Sequence, residues 1–228
     1  MCGRLALTLP SDAMAQMFGA QPGNDLPSVP NYNICPTDQI HVVCGALDGP
    51  RRLTSMRWGF VPHWYKTLND GPLLINARAE TIAEKPAFSQ AARRRRALVI
   101  ASGFYEWTKS PDGQRNPWYM SPAQGDVLVM AAIWQEWQNP EGEALRSCAL
   151  VTTAANRDMA KIHHRMPVIV QPEDWPLWLG EAGHGAARLM RATDEGGLKM
   201  HRVDRAVNSN RAAGSALIVP LVAQSDAC

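Results

Sequence analysis

The start of the chain could carry out an unusual reaction, because a cysteine follows the initiator methionine in Met1-Cys2-Gly3. Methionine aminopeptidase removes Met1 when the next side chain is small, so we expect the mature chain to begin with Cys2. Its α-amine would have a pKa of ~8 and its thiol a pKa of ~8.5, so both would be partly nucleophilic at neutral pH. Such an aminothiol condenses with an aldehyde to an imine, and the thiolate then closes a thiazolidine ring. The simpler alternative is a thiol packed beneath a terminal strand.

Polar residues inside apolar segments are the other candidates for chemistry. Glu106 stands between two aromatic residues. Strand alternation favours an exposed carboxylate there, and the alternative is a half-buried one whose raised pKa suits proton transfer. Asn76 follows an apolar run and either caps a turn or orients a substrate hydroxyl or a terminal amine. His163 could carry protons or have an ordinary surface or core role, and we expect its neighbour His164 to face another way.

The composition excludes several classes of protein. A net charge of +2 argues against a globally basic nucleic-acid binder, although local arginines are compatible with a positively charged groove. The arginine run at 93–96 favours a solvated helix end over a phosphate site. The five cysteines include no CxxC pair, so we expect a reducing compartment without disulfides. Cys35, His41 and Cys44 match no common zinc spacing. We therefore expect no metal and no cofactor, and the chain shows neither a signal peptide nor a membrane-length apolar run.

Hairpin-linked apolar segments must position these residues. The turn Pro111-Asp112-Gly113 predicts a hairpin between residues 104–108, which would continue the strand at 96–101, and residues 118–120. The other segments alternate irregularly between strands and helices, without regular βαβ units, and this predicts an α+β fold. We expect a single domain with a mainly antiparallel, curled or barrel-like β-sheet, peripheral helices and a positively charged groove.

The remaining elements follow from apolar runs and from their bounding turn residues. Further strands are predicted at 39–46, 127–134, 147–153, 167–170, 199–203 and 216–222. Helices are predicted at 11–17, 86–94, 156–162, 171–179 and 185–191, the first capped by Ser11 and Asp12 and ended by Gly19. Residues 27–36 and 60–72 are predicted to be irregular. The domain would span 2–222, with a flexible C-terminal tail at 223–228.

The candidate residues Cys2, Asn76, Glu106 and His163 lie in an ordered set of segments that resembles the SRAP (SOS-response-associated peptidase) family of abasic-site-processing proteins. The resemblance extends from residue 2 to about residue 222. The segments that carry it are MCGR at 1–4, YNICPT at 32–37, MRWGFVP at 56–62, INARAET at 75–81, GFYEW at 103–107, MAAIW at 130–134, TTAAN at 152–156, IHHRMP at 162–167 and VDRAV at 203–207.

The resemblance implies covalent capture of an abasic site in single-stranded DNA, whose ring-opened deoxyribose presents an aldehyde at C1′. It implies that Cys2 is the nucleophile and that Asn76 holds the terminal amine and the sugar. It further implies that Glu106 shuttles protons, and that His163 protonates the sugar O4′ and assists reversal. It also implies a groove that binds the phosphates and bases of DNA, in which a tryptophan stacks on a base. The residues that would form this groove are Arg4, Trp64, Arg78, Thr152 and Arg165.

The chain departs from the family pattern at two places. His164 stands where many relatives carry an acidic or amide residue, and a neighbouring cation would disfavour protonation of His163. Tyr65 replaces a possible second tryptophan beside Trp64, which changes the stacking surface and leaves the chemistry as it is.

Two other functions compete with covalent capture. One is an N-terminal-nucleophile thiol hydrolase or peptidase, in which Cys2 attacks amides and self-processing would remove only Met1. The other is a non-covalent binder of single-stranded DNA, for which Cys2→Ala would leave the function intact. In the covalent account the same substitution removes the adduct and spares most of the affinity. We expect a monomer in the cytoplasm, associated with the nucleoid when bound to DNA.

Overall fold

Strands form most of the regular structure of this chain. The computed structural model describes residues 2–23, 25–45 and 49–221. Within these ranges the strands are β1 (Leu5–Leu7), β2 (Ala20–Pro22), β3 (Asn31–Ile34), β4 (Gln39–Cys44), β5 (Arg51–Trp58), β6 (Asn76–Arg78), β7 (Arg96–Ala101), β8 (Gly103–Lys109), β9 (Arg115–Pro122), β10 (Leu128–Gln138), β11 (Ala144–Ala154), β12 (Arg165–Pro167) and β13 (Leu198–Arg202). The α-helices there are α1 (Ser11–Phe18), α2 (Pro86–Arg94), α3 (Arg157–Ala160) and α4 (Trp175–Leu179).

The larger sheet closes into a barrel. Antiparallel ladders join β5 to β4, β4 to β7, β7 to β10 and β10 to β11. β11 then returns to β5 through a short parallel pairing that includes Cys148 and Trp58. β7 is buried at every position after Arg96, as expected for an apolar strand covered on both faces. The predicted single-domain α+β fold, with a mainly antiparallel barrel-like sheet and peripheral helices, is confirmed. The positively charged groove stays a prediction.

A smaller sheet, in the order β13-β9-β8-β1-β3, lies beside the barrel. The prediction that residues 104–108 continue β7 is wrong, because the chain leaves the barrel at Ser102 and β8 begins in the smaller sheet. The Ser102 main-chain N–H donates to the Ala6 carbonyl oxygen at 2.7 Å. A Cβ atom at Gly103 would lie 2.4 Å from the Met120 carbonyl oxygen, so only glycine fits at this crossing.

Most predicted strands are present with shifted ends. The hairpin at residues 111–113 is confirmed, since β8 and β9 pair from Phe104↔Met120 to Lys109↔Arg115. β10 and β11 run longer than predicted, whereas the strand expected at 167–170 is replaced by β12, which ends at Pro167. The strand predicted at 39–46 ends at Cys44, and residue 46 lies outside the described residues.

Five strands (β1, β2, β3, β5 and β6) were not predicted, and one predicted strand is wrong. β3 lies within the proline-rich segment expected to be irregular, where it pairs with β1 through Leu5↔Ile34. β5 carries several arginines, but its partners in the closed barrel hold it extended although its composition is polar. The strand predicted at 216–222 is instead a 3-10 turn at Ser215–Ile218. Residue 222 and the predicted tail at 223–228 lie outside the described residues.

The capping and turn residues predicted the ends of the helices only in part. α2 starts with Pro86 in its first turn, as predicted. α1 ends at Gly19 in the left-handed conformation, but its N-cap is Pro10 and no side chain caps it, so capping by Ser11 and Asp12 is wrong. Asn156 caps the shorter helix α3 by accepting from the Met159 N–H. Residues 171–179 divide into a 3-10 turn and α4, and residues 185–191 form a 3-10 turn.

The arginines at residues 93–96 differ in their surroundings: some face solvent and others bind groups of the protein. Arg93 and Arg94 are exposed in the last turn of α2, as predicted for a solvated helix end. Arg96 instead donates from Nε to the Trp178 carbonyl oxygen at 2.5 Å and so ties β7 to α4. Over the described part of the chain, no helix combines the length and apolarity needed to cross a bilayer. The same residues contain no group of three or more His, Cys, Asp or Glu side chains arranged to hold a metal.

Candidate active site

The candidate nucleophile is held at the start of β1. Cys2 is 1% exposed, and the Asn76 side chain donates from Nδ2 to its carbonyl oxygen at 2.9 Å. The β1–β8 pairing extends to Arg4, whose carbonyl oxygen accepts from the Tyr105 N–H at 3.0 Å. Burial, followed by the nearby Glu106 carboxylate, raises the pKa of the Cys2 thiol far above its usual range. The partly ionised thiol expected from the sequence is therefore wrong for this buried arrangement, in which the thiol keeps its proton at neutral pH.

Glu106 lies on the face of β8 that packs against the barrel. Because side chains alternate along a strand, Glu106 shares that face with Phe104, while Tyr105 points to a separate small cluster with Tyr119. The residue is 3% exposed, so the exposed position favoured by alternation is wrong. Burial raises the pKa of Glu106 above its usual range, and a carboxyl group with such a pKa can exchange protons nearer to neutral pH.

His163 lies between α3 and β12, next to Glu106. Its Nδ1 atom is 3.9 Å from Glu106 Oε1 and 3.0 Å from the Arg165 main-chain nitrogen. The Arg165 carbonyl oxygen is farther from Nδ1, at 3.3 Å, so we assign Nδ1 as the acceptor of the N–H and place the proton of the neutral ring on Nε2. Burial is the main reason that the pKa of His163 is lowered, and the neighbouring His164 and Arg165 lower it further. The ring is therefore neutral over much of the physiological range.

The two adjacent histidines do not face different ways. Their rings stack with centroids 4.3 Å apart and an interplanar angle of 26°. His163 is partly buried and His164 is exposed, so His164 forms a lid over one face of the His163 ring. The expectation that the pair diverges is wrong, because the bend before β12 brings both side chains to the same side.

An ion pair next to the histidine joins a buried guanidinium to a half-exposed carboxylate. Arg165 is 9% exposed, and its guanidinium donates to both carboxylate oxygens of Glu80, at 2.6 and 2.8 Å. The same group donates from Nη2 to the Thr152 carbonyl oxygen at 2.7 Å. The Arg165 hydrogen bond lowers the pKa of Glu80 to about 2. Glu80 had been given no role from the sequence, because it lies in the turn after β6 and its partner Arg165 is distant in the chain.

The residues predicted to bind DNA differ in how accessible they are. Trp64 is 49% exposed in the irregular segment after Pro62, and Arg78 is exposed at the end of β6. Arg4 is partly buried and donates to Asn33 Oδ1 at 2.5 Å and to the Val207 carbonyl oxygen at 3.0 Å. Thr152 and Arg165 are buried and bonded to each other. The structure therefore brings Cys2, Asn76, Glu106 and His163 to one site, with Arg165 behind it.

The fold and the site define a class of protein: an α+β barrel whose second-residue cysteine is buried beside a carboxylate and an imidazole. The model of the SOS response associated peptidase (SRAP) family matches residues 1–210, and the chain belongs to this family. The resemblance seen in the sequence is thereby confirmed.

Relatives and solved structures agree with this assignment. The abasic site processing protein YoqW of Bacillus subtilis is 32% identical over 216 residues, which cover 92% of this chain and 95% of the relative. The abasic site processing protein YedK of Escherichia coli is 29% identical over 229 residues, covering 97% of this chain and all of the relative. A crystal structure of a protein from Bacteroides thetaiotaomicron superposes with a TM-score of 0.84 at 21% identity, covering 97% of this chain and 100% of that one. That structure supports the fold.

Proposed function

We propose that this protein processes abasic sites by capturing them covalently in single-stranded DNA through a thiazolidine formed with Cys2. The names of its relatives, abasic site processing proteins at 32% and 30% identity over 92% of the chain, support abasic DNA as the substrate. The observation that carries the covalent step is the convergence of Asn76, Glu106 and His163 on Cys2. Peptidase- or hydrolase-type self-processing would cleave the peptide bond before Cys2 and so expose its α-amine.

The proposed reaction balances without a cofactor. After removal of Met1, the Cys2 α-amine attacks the C1′ aldehyde, and loss of one water gives an imine. The Cys2 sulfur then adds to the imine carbon, and the thiol proton passes to the imine nitrogen, which closes the ring. The products are one thiazolidine and one water. Ring closure removes the iminium that would otherwise drive β-elimination and strand scission, so the captured lesion is shielded from strand breakage. The activity is therefore stoichiometric cross-linking, which stops before the strand scission that a lyase would complete.

The perturbed groups suit the proton transfers that this reaction needs. Burial raises the pKa of the Cys2 thiol, so the sulfur needs a base as it adds to the imine. Glu106 is close enough to influence that thiol, and burial raises its own pKa, which makes it a suitable acceptor. The neutral His163 ring carries its proton on Nε2 and can donate it to the sugar O4′ as the ring opens. Reversal of the adduct uses the same donors and acceptors in the opposite order.

Asn76 would hold the new α-amine. Its Nδ2 already donates to the Cys2 carbonyl oxygen, whereas its buried Oδ1 atom has no hydrogen-bond partner among the described residues. An amide oxygen can accept only from a donor such as an amine or a hydroxyl. The α-amine of Cys2 and a sugar hydroxyl are both donors of this kind.

DNA binding would start from the accessible members of the predicted set. Trp64 offers an exposed ring for a base, and Arg78 offers an exposed guanidinium for a phosphate. Arg4 and Arg165 already donate hydrogen bonds within the protein. In these positions they would contact the DNA only with the part of each guanidinium that these bonds leave accessible. Stoichiometric capture requires one protein per lesion, so a monomer acting on chromosomal DNA in the cytoplasm fits the proposal.

A denaturing gel tests the proposal with matched cysteine variants. The protein is mixed with a single-stranded oligonucleotide that contains one abasic site, without reductant. We expect a shifted band that survives denaturation for the wild type and for Cys35→Ala, which removes a different thiol that is partly exposed. Cys2→Ala should give no such band while retaining most of its DNA affinity. A covalent band with Cys2→Ala would contradict the proposal, and unchanged function without any band would favour a non-covalent binder.

A further inference from the structure

Glu80 lies outside the four residues assigned to the reaction, yet it is connected to one of them through two hydrogen-bonded links. Its carboxylate accepts two hydrogen bonds from Arg165 and a third from the Ala154 N–H at 3.2 Å. Arg165 and Ala154 are register partners in the β11–β12 pairing. Glu80 thus binds the guanidinium of Arg165 in β12 and the main chain of Ala154 in β11.

The second link runs from Arg165 to the imidazole. Its main-chain N–H donates to His163 Nδ1 at 3.0 Å, and its carbonyl oxygen lies 3.3 Å from the same atom. The two main-chain groups favour opposite tautomers, because an N–H requires an unprotonated Nδ1 whereas a carbonyl requires a protonated one. The shorter contact is with the N–H. The placement of the Arg165 main chain therefore selects the tautomer of His163.

The Arg165 guanidinium is well suited to fix that main chain. It is buried, and besides Glu80 it binds the Thr152 carbonyl oxygen, which also accepts from the Ala79 N–H at 2.8 Å. The guanidinium therefore joins β11 to the segment that follows β6. Among the described residues, Glu80 is the only carboxylate that forms an ion pair with Arg165. Without it, a buried guanidinium would lose its counter-charge and keep only its hydrogen bonds to Thr152, so its position would be less well fixed.

We propose that Glu80 is a positioning residue that acts through Arg165 to hold His163 as the Nε2-protonated tautomer. The inference rests on the proposed function for the meaning of that tautomer, since Nε2 is the atom assigned to donate to the sugar O4′. Among the described residues, Glu106 Oε1 at 3.9 Å from Nδ1 and the stacked ring of His164 also face the His163 ring. Neither of these contacts requires Nδ1 to be unprotonated.

Nitrogen-15 NMR of the histidine rings tests the tautomer without DNA. In the wild type at neutral pH, His163 should show an unprotonated Nδ1 and a protonated Nε2. In Glu80→Ala we expect a mixture of tautomers or a shift toward Nδ1 protonation. Glu80→Gln keeps an acceptor of the same shape without the charge and should lie between them. The matched control is Glu136→Gln, which removes a carboxylate from an exposed pair with Arg146 on neighbouring strands.

Cross-linking kinetics supply the second readout. At saturating DNA, adduct formation by Glu80→Ala should slow about 10-fold to 100-fold, as expected when a catalytic group is misplaced by about 1 Å. The DNA concentration that gives half the maximal rate should not change. A folded Glu80→Ala with wild-type tautomer and rate would overturn the proposal, as would tighter DNA binding, which would mean that Glu80 competes with phosphate for Arg165. A wild type that forms no adduct would refute the proposed function, while the NMR result would still decide the role of Glu80.

Discussion

The Asn76 side chain donates from Nδ2 to the Cys2 carbonyl oxygen at 2.9 Å and so ties the start of the chain to strand β6. The two residues are 74 positions apart in sequence. β6 runs parallel to β11 with Asn76 beside Leu150, which makes the donor part of the rigid barrel. The position of the reactive residue therefore depends on a side chain that the barrel holds in place.

Removing this donor should slow capture and leave the barrel intact. A neutral hydrogen bond contributes about 1 kcal/mol, so we expect Asn76→Ala to form the adduct about fivefold more slowly at saturating abasic DNA. Asn76→Asp should be slow as well, because a carboxylate cannot donate to the carbonyl. Asn139→Ala, in the exposed turn between β10 and β11, is the control. Wild-type single-turnover rates for both Asn76 variants would show that this contact has no part in the reaction.

Glu106→Gln should lower the rate of cross-linking and raise the stability of the folded protein. Loss of the carboxylate removes general acid–base help, which typically accounts for about 100-fold or more in rate. Because burial raises the pKa of Glu106 in the folded protein, the ionised form destabilises the fold at pH values above the ordinary pKa of a glutamate. The neutral amide should therefore raise the melting temperature at pH 7 while cross-linking falls. A variant that is less stable at pH 7 would mean that the charge has a stabilising partner that outweighs burial.

The pH dependence of the same variant gives a separate prediction. As the pH falls through the raised pKa of Glu106, the wild-type carboxylate takes up a proton and the rate of adduct formation should decline. Glu106→Gln should lack this decline, because its amide does not titrate. The measurement is the single-turnover rate between pH 4.5 and pH 8 on pre-formed abasic DNA. A parallel decline in both proteins would assign it to another group.

His164→Gln should raise the pKa of His163. The rings are 4.3 Å apart, and a charge on His164 disfavours a second charge on its neighbour, whose pKa burial and nearby cations already lower. Titration of the His163 carbon-bound protons by NMR measures the shift, with His184→Gln, at an exposed position, as the control. An unchanged or lower His163 pKa in His164→Gln would show that the stack has no electrostatic effect.

The ion pair between Glu80 and Arg165 should make stability depend on pH in the acid range. The pKa of Glu80 is about 2 in the folded protein, against an ordinary value of 4.5 for a glutamate. Its contribution is therefore fully present above about pH 4.5 and is lost as the pH falls toward 2. Since the carboxylate is half-exposed, we expect Glu80→Gln to cost about 1 kcal/mol at pH 7. Urea unfolding should show that this difference shrinks by pH 3, and a constant difference would contradict the ion-pair account.

The sequence was informative about the barrel for a physical reason. Apolar runs such as Arg96–Ala101 and the turn at residues 111–113 depend on local chemistry, and both elements were predicted correctly. β5 was not predicted, because its sequence is largely polar and its extended conformation depends on pairing with β4, β2 and β11. The sequence around β8 could not show which sheet this strand joins either. The crossing at Gly103 depends on atoms of Met120, which is distant in sequence.

The site was predictable as a set of residues and less so as an arrangement. Cys2, Asn76, Glu106 and His163 could be selected from their types and from the family resemblance, and they do come together. The burial of Glu106, the stacking of His163 on His164 and the role of Glu80 all depend on contacts between segments that are far apart in the chain. Alternation along a single strand cannot tell which face another sheet will cover.

Intact-mass spectrometry of the protein with single-stranded abasic DNA, followed by fragmentation, tests the central claim most directly. The account predicts one species with the summed mass of the chain beginning at Cys2 and the oligonucleotide, less one water, with the modification located on Cys2. Cys2→Ser should give a denaturation-stable adduct only when a reductant traps its imine, with the summed mass less one water plus the two hydrogens added by reduction. A denaturation-stable adduct located at another residue would contradict the account, as would no adduct from wild-type protein confirmed to begin at Cys2.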